Sequence, residues 1–398
     1  MAEFIDRIEF SGIVKVRDAI LKLDKPFRLE SGEPSFDVPQ HIKDAISKAL
    51  QDNHTHYVAS AGIPQLRQAI AEKAARKNHI PVGKFAEVLV TNGGMHALYV
   101  LFRALLEAGD EVLIPDPTWT CVQELLKLAG ANVTRFPLRE ELGWRFNPDE
   151  LRAAITPRTK AIMINSPHNP TGGVLTRTDL EAIAAIVQDH PGITVISDEA
   201  YEDVIFDGEE HVSFASLPGM YERSASVFTF SKSYAMTGLR LGYIVTPNPL
   251  LMDRMAKVVL YTSNGVSSIT QYGGLAALTG PQDCLTEFRD EYKRRRDLFY
   301  DGLATIPTLQ GERPKGAFYA FLKIAPTWQD ERGRSDSWAM TDYLLKARVG
   351  SSPGVIFGPH GEGYVRFSTA CVATDLSGAL ATMQQLFAEE PILVEAGS

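Results

Sequence analysis

Residues 228–243 read FTFSKSYAMTGLRLGY, a segment that begins at the end of one β-prone run and reaches the start of another at Gly242. Lys232 is therefore expected just past a buried strand, with hydroxyls at Thr229 and Ser231 and a guanidinium at Arg240. A lysine condenses with an aldehyde only as the neutral amine, and partial desolvation beside another cation lowers its pKa enough to allow that. An arginine grips a phosphate through two parallel hydrogen bonds while neighbouring hydroxyls donate to the remaining oxygens. The segment thus suits one ligand that carries both groups. A random Lys/Arg pair is more often solvated surface, but an apolar stretch bounded by glycines is not the makeup of a solvated face.

On either side, short β-branched runs alternate with amphipathic ones. The expected strands are 86–91, 111–115, 160–165, 194–197, 227–230 and 242–245, with helices such as 95–108 and 179–190 between them. That alternation predicts βαβ units and a mostly parallel sheet. The charged run FRDEYKRRRDLFYDGL at 288–303 is expected as a long solvated helix, followed by a strand at 317–324. The expected fold class is α/β: a large domain with a mostly parallel sheet flanked by helices, plus a smaller α+β domain built from both chain ends. The boundaries are placed at 1–45, 46–288 and 289–398.

Bulk composition narrows the function classes. The 398 residues carry 40 Lys plus Arg against 49 Asp plus Glu, a formal charge of −9, so no general attraction to nucleic acid or acidic membranes is expected. Any anion site must be local. Cys121, Cys284 and Cys371 are scattered and form no metal-binding spacing, which predicts buried reduced thiols, no metal and a cytoplasmic protein. The opening MAEFIDRIEFSGIVKVRD has no apolar run of secretory type, and no stretch is long and apolar enough for a membrane span.

Further motifs accompany the lysine segment. ITVISDEAY sets Asp198 at a strand end with Tyr201 three residues on, a pattern that taken alone reads as a helix cap and a packing tyrosine. NSPHNPTGG at 165–173 is a turn-rich loop after a strand, and NGGMHALYVLF places Gly93 and Gly94 at the opening of a helix, where free N–H groups can receive a phosphate. PDPTWT carries Trp119, HYVASAGIPQLRQAI carries Tyr57, ESGEPSFD carries Gly32, and YVRFSTA carries Arg366. Each is individually weak.

Together and in this order, from about residue 30 to 380, these motifs resemble the class I/II aminotransferases of fold type I, the branch with aspartate and aromatic aminotransferases, which depend on pyridoxal 5′-phosphate (PLP). The resemblance implies that Lys232 holds the cofactor as a Schiff base and shuttles the substrate's α-proton. It implies that Asp198 keeps the pyridine nitrogen protonated, that Tyr201 and Asn169 bond the ring oxygen, and that Ala200 and Trp119 pack on the ring. Gly93, Gly94, Met95, Thr229, Ser231 and Arg240 become the phosphate site, joined by Tyr57 from the neighbouring subunit of a homodimer with shared active sites. Arg366 binds the substrate α-carboxylate, with Gly32, Asn169 and Trp119 also facing the substrate. The expected Asn169–Pro170 bond is cis.

The implied activity is a transaminase reaction of ping-pong type between an L-amino acid and a 2-oxo acid. Relatives that take acidic substrates use a lysine at the position of Met95 or an arginine in the segment corresponding to 261–271, and this chain has neither. Neutral, aromatic or aliphatic amino donors are therefore expected, with aspartate preference and a β-lyase on the same scaffold as alternatives. A transcription regulator is disfavoured because only about thirty residues precede the first motif, and a dinucleotide binder because no G-x-G-x-x-G is present.

Overall fold

The computed structural model describes residues 3–388; residues 1–2 and 389–398, at the outer ends of the expected small domain, lie outside them. Eight strands form the main sheet: β1 Val88–Thr91, β2 Glu111–Asp116, β3 Asn132–Arg139, β4 Arg145–Phe146, β5 Thr159–Asn165, β6 Thr194–Asp198, β7 Ser224–Thr229 and β8 Gly242–Val245. Their order is β1-β8-β7-β6-β5-β2-β3-β4. From β3 through β2, β5 and β6 to β7 neighbours are parallel, whereas β8 runs against both β7 and β1, and β4 against β3.

The middles of the central strands are apolar and buried because both faces are covered. On one face Leu89, Val112, Ile114, Met163, Ile196 and Val227 pack with the helices Gly93–Leu105, Cys121–Ala129 and Pro249–Ser263. Residues of opposite parity, such as Val90, Phe228 and Tyr243, pack with Pro64–Lys77 and Ser268–Thr279, and Leu113, Ile162 and Val195 with Arg177–Asp189. Each such side chain contributes roughly 1.5–3 kcal/mol on burial.

A second, antiparallel sheet comprises β9 Leu309–Gln310, β10 Tyr319–Ile324, β11 Ser352–Pro353 and β12 Tyr364–Ser368, in the order β11-β12-β10-β9. Its core draws on the helices Asp283–Leu303, Ser337–Lys346 and Ala373–Ala388, and on Leu29 from the N-terminal region. Material from both ends thus meets in one small α+β layer. The expected junction at 45/46 falls inside the helix Gln40–Gln51, whose Ile42 packs in the core of the main sheet.

Two expectations need correction. Helix Asp283–Leu303 is not merely a solvated face: Arg295 and Arg296 are buried, Arg295 bonded to Glu291, Ser35 and the Ala370 carbonyl, Arg296 to Asp207 and Asp297. Their charges are matched by Glu291 and Asp297 on the same helix and by Asp207 from outside it, a fit that only the folded arrangement shows. The three cysteines are free but only partly buried. No helix among the described residues is long and apolar enough to cross a membrane.

Candidate active site

Parallel neighbours bring their carboxyl ends to one edge of the sheet, where ligands of open α/β folds bind. Asn165, the last residue of β5, is in register with Asp198, the last of β6, and β7 ends beside them at Thr229. β8 enters antiparallel, so its first residue Gly242 lies opposite both Thr229 and Thr91, and the turn after β1 reaches the same edge. There a cavity of about 420 Å³ opens. It is lined by Gly32, Gly94, Met95, Trp119, Asn169, Asp198, Ala200, Tyr201, Thr229, Ser231, Lys232, Arg240 and Arg366. Only Gly93 and Tyr57, of the expected site residues, do not line it.

Lys232 sits in a single helical turn, Phe230–Ser233, capped by the Thr229 hydroxyl, which accepts from the Ser231 N–H. Its Nζ donates to the Gly32 carbonyl at 2.7 Å. Burial pulls the lysine pKa down to about 8; Arg366 and Arg240 act in the same direction, while Glu33 and Asp198 oppose it. The carboxyl of Asp198 is pushed up to about 7, mainly by burial, with the Ala200 N–H and Lys232 working the other way. Its Oδ1 accepts from Ala200 at 3.2 Å.

The loop after β5 is held by Asn165, whose side chain donates to the Asp198 carbonyl and accepts from the Asn169 N–H, each at 2.9 Å. Asn169–Pro170 is cis. Asn169 Oδ1 accepts from Arg366 Nη1 at 3.0 Å, and Arg366 Nη2 donates to the Glu30 carbonyl at 2.7 Å. The Arg366 guanidinium is 1 % exposed and lies 4.5 Å from the Tyr319 ring and 4.8 Å from that of Phe357. Its Nε has no partner, and no carboxylate among the described residues forms an ion pair with it. Buried Glu30 attracts it without forming an ion pair, so the guanidinium keeps capacity to receive an anion.

At the opposite end Arg240 has positive φ (50°) and donates from Nη1 to the Thr237 carbonyl at 2.7 Å. A Cβ on Gly93 would come within 2.5 Å of Arg240 Nη2, so only glycine lets this guanidinium lie against the start of helix Gly93–Leu105. Helix-terminal N–H groups, the Thr229 and Ser231 hydroxyls and Arg240 therefore share one corner, the chemistry of an anion cradle. Tyr57 is elsewhere, 91 % exposed, on an open cleft with residues 263–269.

Sequence reasoning missed several lining residues. Ile13 and Val14 arrive on the N-terminal helix Gly12–Ile20, Glu33 follows Gly32, and Tyr319 stands at the start of β10. Tyr319 lay inside a strand expected from its apolar pattern, and nothing in that pattern separates a core tyrosine from one that faces a cavity.

The family model described as "Aminotransferase class I and II" matches residues 24–382. An aspartate aminotransferase of Pyrococcus abyssi is 39% identical over 98% of this chain and 99% of its own. Aromatic-amino-acid aminotransferase 2 of Thermococcus litoralis is 36% identical, covering 98% and 99%. The solved structure of Thermus thermophilus aspartate aminotransferase with maleate superposes with a TM-score of 0.90 at 36% identity, over 97% and 99% of the two chains. The order of motifs, the sheet and these likenesses agree, and the chain belongs to the class I and II aminotransferases, with the fold of the PLP-dependent enzymes of fold type I.

Proposed function

We propose that the cavity holds PLP on Lys232 and that the enzyme moves amino groups from neutral, aromatic or aliphatic L-amino acids to a 2-oxo acid. The observation that carries this reading is one cavity containing a lysine whose pKa is pulled down to about 8, a buried carboxyl, and a buried arginine with no ion-pair partner among the described residues. The residues present fit the cofactor: Gly93 lets the Arg240 guanidinium lie against the helix start, beside the Thr229 and Ser231 hydroxyls, in the same cavity as Lys232 and Asp198.

When bound, PLP supplies an electron-withdrawing ring that stabilises negative charge at the substrate Cα. The chain's residues do the rest. Lys232 Nζ would hold the cofactor through its aldehyde and would serve as the base for the substrate's α-proton. Asp198 would hold the ring nitrogen protonated, and Tyr201 and Asn169 would donate to the ring oxygen. Thr229, Ser231, Arg240 and the N–H groups of Gly93, Gly94 and Met95 would hold the phosphate, with Trp119 and Ala200 available to pack on the ring. Arg366 grips the α-carboxylate and orients Cα, with Gly32 closing that side.

Specificity follows from what is left over. Lys232, Arg240 and Arg366 are the only cations lining the cavity among the described residues, and all three are committed to the aldehyde, the phosphate and the α-carboxylate. The remaining wall includes Ile13, Val14, Met95, Leu98 and Trp119. A distal carboxylate buried there without a partner would be penalised by at least about 1–3 kcal/mol. The relative named aspartate aminotransferase favours a second reading, aspartate as donor. Comparing kcat/KM for aspartate, phenylalanine, leucine and methionine decides between them: the neutral donors are expected to lead by about tenfold or more, and an aspartate lead overturns the preference. Lys232→Ala should abolish turnover and the visible absorbance of the purified enzyme.

The same reading includes a homodimer in which Tyr57 of each subunit completes the other's phosphate site. It includes a small domain formed by both chain ends, with the first junction moved to the start of helix Gln40–Gln51. Three free thiols support a reducing compartment, the cytoplasm.

A further inference from the structure

Tyr319 touches three of the residues that define the site. Its hydroxyl lies 2.8 Å from that of Tyr201 and so close to Gly32 that a Cβ there would approach within 2.2 Å. The Arg366 guanidinium rests on its ring, 4.5 Å from the centroid. The register explains the placement: Arg366 on β12 pairs with Phe321 on β10, and Tyr319, two residues along, projects from the same face.

Both phenols are buried and stay protonated, because burial raises the pKa of each. A phenol has one proton to give. If Tyr201 donates to Tyr319, the Tyr201 proton is turned away from the cavity; if Tyr319 donates to Tyr201, that proton is free to face it. A cation on the ring face draws electron density from the phenol and strengthens its O–H as a donor, which favours the second arrangement.

We propose that Tyr319 is a positioning residue with two separable jobs: its hydroxyl donates to Tyr201 and so aims the Tyr201 proton at the cofactor's ring oxygen, while its ring supports Arg366 under the substrate carboxylate. The inference rests on the roles given above to Tyr201 and Arg366.

The test uses holoenzyme. A donor to the ring oxygen stabilises the deprotonated form, in which that oxygen carries its full negative charge, so weakening the donor moves the pH midpoint of the visible absorbance band upward. Tyr319→Phe, which keeps the ring, is expected to raise the midpoint by roughly half to one unit, with KM for the best donor among aspartate, phenylalanine, leucine and methionine unchanged within about twofold. Tyr319→Leu, which removes the ring as well, is expected to give the same rise and a KM increase of roughly 3–30-fold. Tyr201→Phe is the control and should shift the midpoint further. If Tyr201→Phe shifts it and Tyr319→Phe does not, the role of Tyr319 fails while that of Tyr201 stands; if neither shifts it, both fail. Equal KM increases in the Phe and Leu variants would overturn the separate task of the ring.

Discussion

Asp198 is a carboxyl held where its own charge is unwelcome. Its value of about 7 lies well above the ordinary 3.8, chiefly through burial. In cofactor-free protein the sign follows directly: the stability linked to this group is fully present below about pH 4 and is lost as pH rises through about 7. Asp198→Asn should therefore raise the melting temperature of cofactor-free protein at pH 8 by about 2–4 °C and leave it unchanged at pH 4. The same substitution should cut turnover of the loaded enzyme by ~10²-fold or more. Equal melting temperatures at pH 8 would show that the carboxyl is not strained there. Lys232 gives the complementary expectation. Because the amine must be neutral to react, the rate of reconstitution with PLP should rise with pH around a midpoint near 8 and level off above it, where an ordinary lysine near 10.5 would still be gaining. At this scale the sequence was readable wherever chemistry and spacing coincide: Lys232, Asp198, Asn169 and Arg366 converge as expected. Tyr319 and Glu33 were not readable, because their relevance comes from which side of a strand or turn meets the cavity, a matter of tertiary register.

The elements explain why so few residues suffice. Asn165, Asp198 and Thr229 end three adjacent parallel strands, so the sheet itself spaces them. Gly242 on the antiparallel β8 then sets how close the helix Gly93–Leu105 can come: a Cβ there would sit 2.8 Å from the Gly93 carbonyl carbon and from the Phe228 oxygen, and 2.9 Å from the Gly94 nitrogen. All three are backbone atoms, which cannot swing away as a side chain tip can. Gly242→Ala should push the helix start away from Arg240 and weaken PLP binding by roughly tenfold, the equivalent of about 1.4 kcal/mol. An absorbance titration of the variant measures it, and wild-type affinity would show that the helix start does not hold the phosphate. Strands β5 to β8 were legible because burial on both faces gives each a short apolar or β-branched stretch, 161–164, 194–196, 227–228 and 243–245. β3 was not, since most of its residues are only partly buried and its apolar pattern is broken, and the two-residue β4 offers no pattern at all.

Across the whole molecule the net charge of −9 repels anions, so a phosphate and a carboxylate must be captured by local groups, and the proposed function would draw one of them, Tyr57, from a second subunit. Tyr57 is 91 % exposed and Tyr261 85 %, with Leu260 and Met95 each at 42 %. Exposed aromatic and aliphatic groups of this size are characteristic of surfaces that another chain covers. In a two-fold dimer each subunit presents the same patch, so Tyr57 of one would serve the lysine of the other. Mixing separates this arrangement from a self-contained site. Take Lys232→Ala, which cannot hold the cofactor aldehyde, and Tyr57→Ala, assayed at PLP concentrations low enough that loss of a phosphate contact silences it. If sites are shared, a hybrid of the two carries both lesions in one site and none in the other, and an equimolar mixture after unfolding and refolding should recover about a quarter of wild-type activity. If each site drew Tyr57 and Lys232 from one chain, every site in the hybrid would carry a lesion and no activity would return. That second outcome would remove the shared site from the proposal while leaving Lys232, Asp198 and Arg366 in their roles, because those three meet within a single chain.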